Sequence, residues 1–183
     1  MVPEAQPLEE LFQDLVGRHY AEQIGISDPQ VIAYVSHLLS EFYDAEQLYK
    51  IRNASNRALS DVGEMILESD PIYGPAPCFD RERQVRKHIG DYTLFFTGMF
   101  PESINHSRLH RERLESLVDW VKAGKESYYI VSKFEHFEYA KVAPLFAVLS
   151  KKFEDCVYGL NMVKNELEEM QHPIVRRSNE LIM

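Results

Sequence analysis

The sequence predicts an all-α fold, a single-domain helical bundle of about six helices with long antiparallel helices in its C-terminal half. Three observations predict it. Apolar residues recur at three- and four-residue spacing through most of the 183 residues. No strand-length alternation fits better than these helical patterns, and no 20–50-residue repeat is present. The apolar content of 45% and charged content of 27% are those of a soluble globular chain, long enough to bury a core without staples.

The elements follow in order. Leu8, Leu11, Phe12, Leu15, Val16 and His19 form one helix face. Asp28-Pro29 reads as an N-cap followed by a first-turn proline. Val31, Val35, Leu38 and Phe42 then make a second stripe, flanked by Ile32, Leu39 and Tyr43. The segment "YDAEQLYKIRN" reads either as a continuation or as a short helix of its own. A third helix is expected over 55–69, burying Leu59, Val62, Met65 and Ile66. Residues 70–80, "DPIYGPAPCFD", hold three prolines and one glycine and form a connector.

The next helix is expected over 81–100. Val85, Ile89, Tyr92, Phe96 and Met99 step along one row, with His88, Tyr92, Phe95 and Met99 beside it. Beyond Gly90 it is apolar on almost every side, as a helix surrounded by other helices would be. Pro101 should end it. The segment "ESINHSRLH" reads as a polar turn. A helix over 111–134 follows, carrying Leu114, Leu117, Val118, Val121, Gly124, Tyr128 and Val131. A last long helix is expected over 144–170. The domain spans 1–170, and 171–183 is a tail that is disordered or docks on a neighbour.

Charge is unevenly spread. Residues 1–70 hold 4 Lys/Arg against 13 Asp/Glu, whereas residues 71–125 hold 9 against 7. The acidic first third argues against nucleic-acid binding. The basic segments "RERQVRKH" and "RLHRER" offer a docking face for an acidic partner, such as the acidic third of a second copy. The two cysteines are too few for a disulfide framework or a zinc cage and read as reduced thiols. The start lacks a signal-peptide pattern, and no apolar run reaches the about 20 residues a membrane span needs. A cytoplasmic protein without a membrane partner is expected.

Candidate chemistry is sparse. His88 and Asp91 are neighbours at i and i+3, an arrangement that orients an imidazole, and with Tyr92 they are the candidates for cofactor binding. An arginine of either basic segment is the expected partner if Asp91 is buried. Glu102, His106 and His110 have metal-ligand spacing if their segment is helical. One Glu-x-x-His occurs, Glu169 to His172, where a diiron bundle needs two. "AGKES" lacks the first glycine of a P-loop. Gly90 and Gly98, eight apart on nearly the same face, suggest close helix crossing, with Gly124 as the natural partner. Tyr128 and Tyr129 are consecutive, so one of them should face outward.

No cofactor is expected from these motifs and no catalytic constellation is complete. The reading is a non-enzymatic helical protein–protein interaction or regulatory module, homodimeric or bound to another protein. The alternative is a helical-bundle binder of a small molecule, haem or metal. "RxxRKHIGDYTLFFTGMFPES", "VKAGKESYY" and "LFAVLSKKFEDCVYGLNMV" together resemble an uncharacterised family of bacterial all-helical proteins over roughly residues 81–170. That resemblance implies a helical fold and a bacterial, cytosolic origin, and it carries no functional site.

Overall fold

The computed structural model describes residues 7–72, 74, 78–106, 117–173 and 175. Those residues are all-helical, with nine α-helices where about six were expected. α1 (Leu8–Gln23) buries Phe12, Leu15 and Val16 of the expected face together with Tyr20, while Leu8, Leu11 and His19 stay partly exposed. It ends where Gly25, at φ 68°, turns the chain back so that Ile26 N–H bonds the Tyr20 carbonyl. α2 (Pro29–Phe42) starts as expected, the Asp28 carboxylate accepting from Gln30 N–H at 2.9 Å. α3 (Ala45–Leu48) is a short helix of its own, capped by Asp44.

The helix expected from residue 55 begins only at Val62, as α4 (Val62–Ser69). Turn chemistry wins over periodicity here. The Asn53 side chain accepts from Ser55 and Arg57 N–H, Asn56 sits at φ 60°, and Arg52 bridges Ala58. Asp61 then caps α4 by accepting from Glu64 N–H at 2.8 Å. Leu59 is buried all the same, from the loop.

α5 (Phe79–Met99) is the central helix, and every residue from His88 to Met99 is buried. It packs against α2, α4, α7 and α9. Pro101 stops it as expected, but it also opens the short α6 (Pro101–His106) where a polar turn was read. α7 (Leu117–Ser132) follows; the start of its expected stretch, including Leu114, and most of the expected tail lie outside the described residues. A 3-10 turn at Phe137–Tyr139 lies between α7 and the next helix. The last long helix is interrupted at Lys152, giving α8 (Ala143–Lys151) and α9 (Phe153–Glu169). No Pro or Gly marks that break. It coincides with Phe153 inserting its ring against Gly124 of α7.

α5 and α7 run antiparallel in a fixed register. Gly90 meets the Tyr128 ring, Thr93 meets Gly124, and Phe96 meets Trp120 edge-on at 5.9 Å. Gly98 departs from the expected crossing. It faces Leu160 of α9, not Gly124. Eight residues at about 100° each leave the two α5 glycines about 80° apart, enough to serve two different neighbours. Buried side chains from Phe12 to Leu167 form one hydrophobic cluster. No helix among the described residues is long and apolar enough to cross a membrane.

Candidate functional site

Asp91 lies in the middle of α5 with 1% of its surface exposed. A carboxylate so deep must have its oxygens satisfied. One oxygen accepts from the Tyr34 hydroxyl of α2 at 2.5 Å and from the Tyr128 hydroxyl of α7 at 2.8 Å. The other accepts from Lys87 Nζ at 2.8 Å, one helical turn earlier. The partner is therefore a lysine at i−4, where an arginine was expected. Arg108, Arg111 and Arg113, three of the candidates, lie outside the described residues.

The electrostatics keep the groups that donate to Asp91 protonated. Burial pushes the Tyr34 and Tyr128 hydroxyls well above their ordinary pKa, and the Asp91 charge pushes the same way, so both remain donors. Burial opposes the charge on Lys87, but Asp91 outweighs it and the ammonium pKa is raised. The cluster ties α2, α5 and α7 together at one point. Both Asp91 oxygens are engaged by side chains of the chain itself, as a structural polar cluster requires.

His88 does not pair with Asp91. Its ring packs among Phe42, at 5.7 Å between centroids, and Tyr92, at 5.8 Å. Neither ring nitrogen has a well-formed hydrogen bond, although the Leu48 backbone bears on the ring. Burial lowers its pKa to about 4 against an opposing pull from Asp91, so the imidazole is neutral near pH 7. Tyr92 turns elsewhere, stacking on Trp120 and donating its hydroxyl to the Ser60 carbonyl at 3.0 Å. His88, Asp91 and Tyr92 thus share a helix without forming one constellation.

Of the metal candidates, Glu102 accepts from Lys164 Nζ at 2.7 Å. His110 and the His106 side chain lie outside the described residues. Among the described residues, no group of three or more His, Cys, Asp or Glu is arranged to hold a metal ion. Cys156 is buried, its thiol pushed by burial up to about 12, while Cys78 is exposed.

The other end of α5 is open. The Tyr139 hydroxyl donates to Asp80 at 3.2 Å, fixing the 3-10 turn to the first turn of α5. Arg81 bridges Glu68 at 3.3 Å and fixes the end of α4 to the next residue along. Leu67 in α4, Ile72 after it, Phe79 at the start of α5 and Phe137 in the 3-10 turn are each exposed apolar side chains. Phe137 is 91% exposed and holds φ at 55°, a left-handed backbone that a phenylalanine rarely adopts. Beside it a cleft of about 460 Å³ is lined by Cys78, Asp80, Arg81, Arg83, Gln84, Lys87 and Tyr139. Arg83 lies over the Tyr139 ring, 3.9 Å from its centroid.

Sequence reasoning missed Tyr34 and Tyr128 as partners of Asp91, since nothing local links residues 57 and 37 positions apart. Lys87 was findable from i,i+4 spacing alone. No protein-family model, curated protein or solved structure matches the chain, and the resemblance across residues 81–170 gains no support from them.

Proposed function

We propose that the chain is a non-enzymatic helical interaction module, a single domain that pairs with a second copy through the end of the bundle where α5 begins. The observation that carries this reading is Phe137. A buried or structural role would hide the ring, yet it stands 91% exposed on a left-handed backbone. Such a conformation costs roughly 1–3 kcal/mol and persists where the surroundings impose it, commonly at binding sites. Leu67, Ile72 and Phe79 are exposed apolar side chains in or next to the helices that Arg81 and Tyr139 tether at that end, and exposed apolar surface of this kind favours an interaction site.

A second copy is the occupant we favour because the segment around Phe137 carries exposed residues of both signs. Exposed residues of both signs surround Phe137 in sequence: Lys133 and Lys141 against Glu135 and Glu138. A two-fold contact lays the same patch of both subunits together, so a lysine of one copy can face a glutamate of the other. The polar cluster inside the bundle supports the same reading from the other direction, since its oxygens are committed to Tyr34, Tyr128 and Lys87. Light scattering over a concentration series tests the reading. Mass rising toward that of a dimer supports it, and a monomer mass at every concentration removes it.

A further inference from the structure

We propose that the cleft beside the first turns of α5 binds a small oxyanion, a carboxylate or a phosphate, on the guanidinium of Arg83. This goes beyond pairing with a second copy and does not depend on it.

The cations of the cleft differ in how they are satisfied. Arg81 donates to the Arg52 carbonyl and to Gln84, each at 3.0 Å, and to Glu68 at 3.3 Å. Lys87 is held by Asp91 at 2.8 Å. Arg83 has no carboxylate within ion-pair distance among the described residues. Its contacts are aromatic: Tyr139 at 3.9 Å and Phe146 at 5.8 Å from the guanidinium carbon. Its Nε is buried and has no hydrogen-bond partner.

Stacking uses the flat face of a guanidinium, and with Nε buried the two terminal nitrogens of Arg83 are the donors an anion in the cleft would meet. Those two nitrogens match two oxygens of a carboxylate or phosphate. Tyr139 is itself anchored to Asp80 at 3.2 Å, so the platform that orients Arg83 is fixed. Lys87 stands close enough for Arg83 to disfavour its charge, and an anion at Arg83 relieves that repulsion. The volume of about 460 Å³ lies within the roughly 300–1,000 Å³ usual for small-ligand sites. Asp80, the carboxylate in the lining, opposes an extended polyanion and favours a small ligand that meets Arg83 alone.

Titration with inorganic phosphate, and separately with succinate, at ionic strength fixed by chloride tests this. Calorimetry reads the affinity, and the Arg83 Nε–H resonance reads the place. The expected result is saturable binding of at least one anion, with that resonance displaced. Binding should weaken about tenfold or more in Arg83→Gln, as loss of a charge-assisted pair implies. Arg83→Lys should bind weakly too, since it keeps the charge but loses the fork. Phosphate alone binding assigns phosphate chemistry, and succinate alone assigns carboxylate chemistry. Absence of saturation with both anions overturns the proposal. So does undiminished binding by Arg83→Gln, or binding that leaves the wild-type Nε–H resonance unmoved.

Discussion

The ring of Tyr128 fills the space that a Cβ on Gly90 would need. An added methyl would lie 2.4 Å from the ring carbons, closer than real Cβ contacts come. The same tyrosine donates its hydroxyl to Asp91, the next residue of α5. Ring contact and hydrogen bond together set the spacing and register of the two central helices.

Gly90→Ala should therefore destabilise the protein, although alanine is the better helix former by about 1 kcal/mol. Overpacking in a filled core costs about 1–3 kcal/mol, and the Tyr128 ring cannot move without losing its bond to Asp91. Urea unfolding checks this. A stability at or above wild type would show that the crossing has slack.

Asp91→Asn should cost about 2–3 kcal/mol, because Lys87 is left charged and only partly exposed without its partner. Removing both charges in Asp91→Asn/Lys87→Met should recover a large part of the loss. A double-mutant cycle by chemical denaturation measures the coupling. Additive losses would mean that the pair is not a unit.

His88 makes stability depend on pH in a defined direction. Its folded pKa, lowered to about 4, lies below the value of 6.5 expected for an exposed histidine. Between these values the unfolded chain binds the proton and the folded chain does not, so stability rises with pH there. Lowering pH from about 6.5 to 4 should remove on the order of 3 kcal/mol through this residue. Other groups titrate in that range as well, so the readout is a comparison with His88→Phe. That variant should lose less stability across the window, and an identical loss would contradict the assignment.

The two thiols should react in sequence. Cys78 is exposed and Cys156 is buried with its thiol pKa raised to about 12. A thiol reagent on native protein should modify Cys78 alone, and Cys156 only after denaturant is added. Mass spectrometry distinguishes the sites. Modification of both without denaturant would place Cys156 in a far looser packing environment.

How much of this could be read from the amino acids varies along the chain. The central position of α5 is plain in its sequence, because apolar residues surround it beyond Gly90. The N-cap at Asp28 is equally plain, since capping is local chemistry. The break at Lys152 is hidden because no Pro or Gly marks it; it coincides with a contact between Phe153 and Gly124, 29 residues apart. The partners of Asp91 divide the same way. Lys87 is one turn away, whereas Tyr34 and Tyr128 come from other helices. Phe137 gives no sign of exposure in its sequence, where an aromatic residue reads as core by default.

Sedimentation equilibrium on wild type and Phe137→Gly is the most direct measurement of the proposed function. Glycine accepts a φ of 55° without penalty and removes the exposed ring, so the monomer should be as stable as wild type or more so. The account predicts a monomer–dimer equilibrium for wild type that shifts strongly toward monomer in the variant. Wild-type protein that stays monomeric, or a dimer that Phe137→Gly leaves unchanged, would contradict it.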